Sequence, residues 1–381
     1  MDKDVVRHSR NCISAILMLA GFLWVGIGNL SLGSSGLFGG HSAQGEGGIS
    51  SVQAGEVSPA GNDALLELEA WVIRNAFRQV SRSVVRLEWV GGRNLLWEEM
   101  PGGALATGTV LSPDGLIVTS TYYFLDRPSA ILVRFSDGEV LPGRMRGRDF
   151  NRMITVIKVE RELKDFVPRF CAEEDLEVGM RTVAVGWAVG EEPDLAVGIL
   201  SAKRRIWGKA FQTDARTSPR NYGGPLVDLR GRLLGIIVPF SPDGKSPIAG
   251  VEWYDSGIGF AVPWWDIQAV LPRLAAGEDL YPAYLGVRFA AVNPILAEPV
   301  VKAVDPGSPA EELGLHSGDK IVGLGTKQIK CFSEVEEFVQ QRYAGDEIFV
   351  QWLRDGNVHQ GSVRLGVDRR VLQMGSVPAA P

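Results

Sequence analysis

Histidine is scarce in this chain, and its distribution excludes one kind of chemistry over a long stretch. The chain has 381 residues and 4 histidines, and none lies between His41 and His316. Histidine titrates near neutral pH and is the commonest general base in enzymes. The central part of the chain therefore offers no imidazole for proton transfer.

Cysteine is equally scarce, and its spacing excludes two further kinds of site. Cys12, Cys171 and Cys331 fall in three different regions, so a disulfide framework is not expected. No close cluster of cysteine and histidine has the spacing of zinc ligands. We expect no metal site and no cofactor.

An excess of positive charge is also absent. The formal net charge is -6, whereas a general nucleic-acid binder needs a concentrated basic surface. We therefore expect no nucleic-acid partner. Arg144, Arg146, Arg148 and Arg152 form a local basic run, which we interpret as a solvated face, with phosphate or lipid binding as the alternative.

The N-terminus carries an apolar run from Ile13 through Leu32, preceded by three basic residues. The run is about long enough to span a bilayer, and the basic residues favour a cytoplasmic start. This predicts a cytoplasmic segment over 1–11 and a transmembrane helix over 12–32, with the rest exported. A cleaved signal peptide is the alternative, although no clear small-x-small site follows.

A tether and a helix are predicted next. Residues 33–62 are rich in Gly, Ser and Ala, as in a flexible linker. Asn62 and Asp63 can cap a helix, and the apolar residues that follow have helical spacing. This helix is expected to pack on the next domain, with an oligomer contact as the alternative. Its apolar residues are Leu65, Leu68, Val72 and Ala76.

Short β-branched runs separated by Gly, Pro and Asp turns dominate the region from Val84 to about Val270. This pattern is typical of an all-β barrel or sandwich. The expected strands are Val84–Val90, Gly108–Leu111, Leu116–Thr121, Ala130–Phe135, Ile154–Val159, Thr182–Val185 and Leu233–Val238. Helical signal comes mainly from Trp265 to Leu274.

Pro282 marks a boundary to a compact α+β unit of fewer than a hundred residues. A strand is predicted over Leu285–Ala290 and helices over Ser308–Leu315 and Ser333–Tyr343. Ser333 and Glu336 would form the capping box of the second helix.

Six segments of the chain match, in order, the sequence pattern of one known family. They are GTVLSPDGLIVTS (Gly108–Ser120), VGILSA (Val197–Ala202), TDARTSPRNYGGPLVDLRGRLLGII (Thr213–Ile237), GIGFAVP (Gly257–Pro263), YLGV (Tyr284–Val287) and DPGSPAEELGLHSGDKIVGL (Asp305–Leu324). From about Ala76 to Val367 the chain thereby resembles the HtrA (Deg) serine proteases. The resemblance implies a mainly β protein, with a trypsin-like double β-barrel over 63–278, a small α+β PDZ domain over 282–369 and a tail over 370–381.

The resemblance also implies a catalytic His, Asp and Ser, and this chain departs from all three. Tyr122 occupies the position of the base, Met153 that of the aspartate and Tyr222 that of the nucleophile. Arg220 replaces a loop glycine and precedes Asn221, so the oxyanion loop is expected to be degraded. We expect the two tyrosines side by side with Met153 behind them, which would fill the cleft.

Three routes to residual catalysis stay open. Ser218 is a candidate nucleophile, although it lies outside the Gly-Gly turn. A serine-lysine dyad would need Lys203 or Lys209 beside a serine, and nothing in the sequence indicates such a pairing. A phenol has a pKa near 10 and stays mostly neutral without an activating base.

In the PDZ-like unit the resemblance implies a groove that receives a peptide C-terminus. A loop presents backbone amides to the terminal carboxylate, and the peptide adds as a strand to the sheet edge. A PDZ domain that only packs on its neighbour is the alternative. The expected groove residues are Tyr284, Leu285, Gly286, Val287, Val335, Phe338 and Val339.

These features lead to one main hypothesis and two alternatives. The chain would be a pseudoprotease, held in the inner membrane by one helix with its globular part in the periplasm. It would bind peptide C-termini or unfolded chains as a scaffold, adaptor or holdase in protein quality control. Family resemblance implies a homotrimer. The alternatives are an active serine endopeptidase with unusual residues and a structural subunit that assembles with active relatives.

Overall fold

The computed structural model describes residues 59–94, 104–242, 248–289 and 297–368. The predicted cytoplasmic start, the apolar segment 12–32, most of the linker and the tail 370–381 lie outside these residues. Within the described ranges, no helix is both long and apolar enough to cross a membrane.

The first helix, α1, spans Pro59–Ser81 and begins before the predicted caps, inside the segment assigned to the linker. Its C-terminal end packs as expected, since Ala76 and Val80 are fully buried. The predicted packing is wrong for the first half, where Leu65 and Leu68 are 59% and 56% exposed. A helix of this length extends about 34 Å, and of its described side chains only those in the C-terminal part are buried.

Six antiparallel strands form a first closed barrel, in the order β1-β2-β3-β6-β5-β4. The expected mainly β fold is confirmed, and the predicted runs coincide with strands to within a few residues. In this first barrel the expected strands omit β5. The strands are β1 Val84–Val90, β2 Ala104–Val110, β3 Leu116–Ser120, β4 Ala130–Arg134, β5 Val140–Asp149 and β6 Ile154–Lys158.

The basic run lies on β5 and just after it, and its residues do not share one environment. Arg144 and Arg146 are exposed, as a solvated face requires. For Arg148 and Arg152 the prediction is wrong. Arg148 forms a 2.5 Å ion pair with Asp279, and Arg152 is 8% exposed. The reason is that the end of β5 is covered by the segment that follows the barrels.

A second ring of six strands runs in the order β11-β8-β9-β10-β13-β12 and closes by pairing β11 with β12. β7 adds to β12 in parallel. The helix α2, Trp264–Ala275, contacts strands of both barrels. The strands are β7 Arg169–Phe170, β8 Arg181–Gly186, β9 Asp194–Arg205, β10 Ala210–Thr213, β11 Pro225–Asp228, β12 Arg232–Val238 and β13 Gly259–Pro263.

The C-terminal unit has a hydrophobic core of its own. It contains two two-stranded sheets, β14-β21 and β15-β16, and a four-stranded sheet, β18-β17-β19-β20. The elements are β14 Ala283–Tyr284, β15 Val287–Phe289, β16 Val301–Val304, α3 Pro309–Glu312, β17 Lys320–Leu324, β18 Lys327–Gln328, α4 Phe332–Gln340, β19 Glu347–Arg354, β20 Asn357–Arg364 and β21 Gly366–Val367.

The helix α4 begins one residue before the predicted cap. Cys331 holds the N-cap position and makes no side-chain capping bond, so the predicted capping box is wrong. Glu334 instead accepts a hydrogen bond from the Lys330 amide at 2.7 Å. This carboxylate reaches back over the helix start in the way that was expected of Glu336.

Candidate functional site

The positions assigned to base and nucleophile hold two tyrosines in ring contact. Tyr122 lies in the 3-10 turn Thr121–Tyr123 that follows β3, and Tyr222 lies in the turn before β11. Their ring centroids are 5.5 Å apart with an interplanar angle of 69°. The residues are 4% and 2% exposed. Edge-to-face packing therefore occupies the space between the two positions.

A third tyrosine, which the sequence reasoning missed, completes the cluster. The Tyr254 hydroxyl lies 3.1 Å from the Tyr122 hydroxyl, and its ring centroid lies 6.3 Å from that of Tyr222. It precedes the GIGFAVP segment, and no motif marks it. The polar tip of Tyr122 thus meets a second phenol.

Burial disfavours the ionised form of two tyrosines at this site, Tyr222 and Tyr123. Burial, and secondarily the neighbouring Tyr254 and Asp255, raises the pKa of Tyr222 well above its ordinary value. Burial likewise raises the pKa of Tyr123, whose hydroxyl donates to the Pro219 carbonyl. A neutral phenol is a poor nucleophile, so burial does not activate Tyr222.

Met153 belongs to the same buried hydrophobic cluster as the tyrosines and is 4% exposed. Its carbonyl accepts a hydrogen bond of 2.9 Å from the Thr121 amide. Its φ of 58° lies in the left-handed region, which an unbranched side chain adopts only at a cost of about 1–2 kcal/mol. The loop that carries Met153 is thus held tightly beneath the turn that carries Tyr122.

The loop before β11 keeps the turn of its motif. Gly223 has φ of +88°, and a Cβ there would lie 2.3 Å from the Thr107 carbonyl oxygen. The Gly223 amide donates to the Ile237 carbonyl at 2.8 Å. Arg220 does not have the positive φ that would favour a glycine at this position. Asn221 braces the loop, because its side chain bonds the Ser218 amide and the Arg216 carbonyl.

A serine-lysine dyad finds no support in the contacts of the two lysines considered. Lys209 Nζ donates to Asn151 Oδ1 at 3.0 Å, and Lys203 is exposed on β9. Ser218 is buried and its amide is bonded to Asn221. These contacts bring neither lysine to that serine.

A groove of about 1000 Å³ lies between β15 and α4 in the C-terminal unit. Of the seven expected groove residues, the structure places six along it, namely Tyr284, Leu285, Gly286, Val287, Val335 and Val339. Phe338 lies outside the groove. It packs in the core of the unit, with the Arg342 guanidinium over its ring at 3.1 Å from the centroid.

The strand that lines the groove has an open edge. Within the described part of the chain, β15 pairs only with β16, so its other side is available to an added strand. Gly286, just before it, has φ of +89°, and a Cβ there would lie 2.2 Å from Ser308 Cβ. Only glycine allows this close approach of the loop to α3.

Other lining residues were missed by the sequence reasoning, and four of them make specific contacts. The rings of Phe289 and Phe332 stack at 5.2 Å and 17°, and they join β15 to the start of α4. Asp305 accepts from Tyr284 Oη and, at 2.5 Å, from Arg288 Nε. These bonds lower the pKa of Asp305, while burial and that carboxylate raise the pKa of Tyr284 to about 12.

Two family models match this architecture. A trypsin-like peptidase domain matches residues 106–236, which contain the tyrosine pair. A PDZ domain matches residues 283–365, which contain the groove.

Proteins of known families match the two domains together. DegP of Escherichia coli, a periplasmic serine endoprotease, is 29% identical over 269 residues, covering 66% of this chain and 55% of DegP. HhoB of Synechocystis, named as a serine protease, is 27% identical over 306 residues, covering 72% of this chain and 70% of HhoB. This chain belongs to the HtrA/Deg family. A DegP-like periplasmic endoprotease of Chlamydia trachomatis, 28% identical over 265 residues (66% of this chain), is matched over only 51% of its length.

Solved HtrA structures share the fold. The HtrA-type protease AlgW with a tripeptide superposes with a TM-score of 0.62 at 25% identity, covering 78% of this chain and 97% of AlgW. The same protein with a decapeptide gives 0.59 at 22% identity, covering 78% and 98%, which is a likeness of fold alone.

This HtrA-type chain has a buried polar junction between its barrels and its PDZ domain. Tyr343 Oη donates to Asp149 Oδ2 at 2.5 Å and also contacts Arg152 Nη1. Burial raises the pKa of Asp149, partly offset by Arg152 and Tyr343. Arg152 also lies 3.6 Å from Asp266. The described residues contain no group of three or more His, Cys, Asp or Glu side chains that could hold a metal ion.

Proposed function

We propose that this HtrA-family chain is a catalytically inactive homologue that binds peptide C-termini or unfolded polypeptides through its PDZ domain. It would act as a scaffold, adaptor or chaperone in protein quality control. Its N-terminal apolar segment would hold it in the inner membrane with the globular part in the periplasm. Periplasmic relatives support the compartment.

The observation that carries the proposal of inactivity is the contact between Tyr122 and Tyr222. Acyl transfer at this position needs a hydroxyl activated by a base and an open site for the scissile carbonyl. Two buried rings 5.5 Å apart occupy that space, and the third member of the motif is a thioether. Replacing all three members also avoids a stranded buried charge, which the loss of one alone would leave.

Peptide binding is supported by the groove. It combines an open strand edge, a glycine loop at one end and apolar side chains from α4, such as Val335 and Val339. This is the arrangement by which PDZ domains add a peptide as a strand. The neighbouring Asp305 is already bonded to Arg288 and Tyr284, which reduces its repulsion of a terminal carboxylate.

Two assays test the proposal together. The purified chain is incubated with casein and with a serine-directed phosphonate, and its binding to a library of C-terminal peptides is measured. We expect no cleavage, no covalent label and binding that needs a free terminal carboxylate. A label mapping to one residue, with cleavage lost when that residue is substituted, would establish the active-protease alternative.

One observation favours the second candidate, a subunit that assembles with active relatives. The first half of α1 exposes Leu65, Leu66, Leu68 and Trp71, each more than half exposed. A cluster of this kind is typical of an association surface. Mass photometry of the chain alone and mixed with an active relative distinguishes a homotrimer from a mixed assembly.

A further inference from the structure

The PDZ helix that lines the groove is held at its C-terminal end by a side chain of the first barrel. Asn151 Nδ2 donates to the carbonyls of Gln340 and Arg342, at 3.0 and 3.1 Å. The last carbonyls of a helix have no partner inside the helix, so they accept bonds from outside. Asn151 is 1% exposed, and water does not compete for these bonds.

The carboxamide of Asn151 has one orientation available. Lys209 Nζ donates to Asn151 Oδ1 at 3.0 Å. A lysine side chain only donates in this contact, so the amide oxygen faces Lys209 and the amide nitrogen faces the helix. The Asn151 backbone amide donates to Asp149 Oδ1 at 2.8 Å, which holds the main chain as well.

The held end of α4 is also part of the groove wall. Val339 and Gln340 line the groove opposite β15. Gln340 is at the same time the residue whose carbonyl Asn151 binds. A shift of this helix end would therefore change the distance between α4 and the strand edge that receives a peptide.

We propose that Asn151 is a positioning residue for peptide binding, through which the barrel holds the PDZ groove at the width that a peptide requires. The inference rests on the proposed binding function. It gives the protease-type domain, without its triad, a role in recognition, because a groove held in its binding geometry loses less freedom when a peptide enters. Asn151 acts through α4 and touches no peptide.

The test compares peptide affinity in the full chain and in Asn151→Ala. The probe is a fluorescein-labelled decapeptide ending in phenylalanine with a free carboxylate, and its amidated form is the reference. We expect the Kd for the free-carboxylate peptide to rise about five- to tenfold in Asn151→Ala, in the range of ordinary couplings between sites. Hydrogen exchange in the last turn of α4 should become faster.

Two control variants separate positioning from general loss of stability. Gln341→Ala removes a junction bond to the Trp207 carbonyl of 2.9 Å but no groove residue. Tyr343→Phe weakens the buried junction and leaves in place the Gln340 and Arg342 carbonyls that Asn151 binds. Both should keep the Kd within about twofold of the original chain. A fall in affinity that follows stability across all three variants would overturn the inference.

Other outcomes are equally decisive. Equal Kd values for the original chain and Asn151→Ala would overturn the positioning role and leave peptide binding intact. Absence of binding by the folded original chain would instead overturn the proposed function, and the inference with it. Where Asn151→Ala fails to fold, Asn151→Ser replaces it, because serine is too short to reach the carbonyls and should raise the Kd in the same way.

Discussion

The Tyr343 hydroxyl donates to the Asp149 carboxylate across the boundary between barrel and PDZ domain, at 2.5 Å. Asp149 is fully buried, and Tyr343 is 6% exposed. The same hydroxyl contacts Arg152, so one phenol joins a buried carboxylate to a buried guanidinium. Removing it would leave both groups less well satisfied.

Tyr343→Phe should therefore lower the free energy of unfolding by about 1–3 kcal/mol, as for the loss of a buried bond to a charged group. Urea unfolding of the full chain measures the change. Tyr281→Phe is the matched control, because the Tyr281 ring stacks on Phe150 at 5.1 Å and the substitution keeps that stack. The control should change stability by less than about 0.5 kcal/mol. Equal losses in the two variants would contradict the assigned role of the hydroxyl.

The buried ammonium group of Lys209 should make the free energy of unfolding depend on pH. Burial, and then Arg152, lowers the pKa of Lys209 to about 8, while Asp149 and Asp368 oppose the shift. The unfolded chain keeps a lysine pKa near 10.4, so between these values it binds more protons than the folded chain. The contribution of Lys209 to the free energy of unfolding should thus rise as pH increases from about 8 to about 10.4.

Lys209→Met should remove this rise. Urea unfolding at pH 7, 8, 9 and 10 gives the difference between variant and original chain, which we expect to change by about 2–3 kcal/mol across the window. The control is Lys203→Met, which removes an exposed lysine of β9. This control should show the same change of unfolding free energy with pH as the original chain. A parallel pH profile for Lys209→Met would show that Lys209 does not titrate in this range.

Tyr222→Ser should restore the serine of the motif without restoring hydrolysis. No imidazole accompanies it, since Tyr122 still occupies the base position. The lost ring leaves a cavity, and stability should fall by about 3 kcal/mol, as for other large aromatic truncations. Tyr222→Phe keeps the ring and should cost far less. Casein cleavage or phosphonate labelling of Tyr222→Ser would show that a base is within reach.

Gly286→Ala should abolish peptide binding. The new Cβ would meet Ser308 Cβ at 2.2 Å in a left-handed backbone conformation, so the loop at the groove end must move. Gly277→Ala is matched in φ, at +97°, and meets nothing within 4 Å. It should cost only about 1 kcal/mol of strain and keep the peptide Kd. Fluorescence anisotropy with the labelled decapeptide measures both, and retained binding by Gly286→Ala would exclude this loop from the site.

The strands were predicted well where β-branched residues form uninterrupted runs, as in β1 and β6. β5 was missed because Pro142, Gly143 and alternating arginines break its apolar pattern. It forms a strand because both of its edges are paired, with β4 and β6. Tertiary pairing of this kind overrides local propensity.

The site was predicted less completely. The spacing of Val335, Phe338 and Val339 defines an apolar face of α4, but it does not tell which part faces the groove and which the core. Phe289 and Phe332 come from separate elements and meet only in the folded unit. Asp149 and Tyr343 are 194 residues apart, so no local pattern connects them.

The two glycines after Tyr222 explain why the Gly-Gly turn of the motif is kept around a tyrosine. A side chain at Gly223 would strike the Thr107 carbonyl, and one at Gly224 would lie 2.0 Å from the Val185 carbonyl. Both positions require glycine because the turn lies against backbone carbonyls of β2 and β8. This requirement does not depend on which residue precedes the two glycines. A sequence motif that depends on such a turn therefore indicates common ancestry with peptidases. Whether a protein hydrolyses peptide bonds depends on the side chains at the reacting positions.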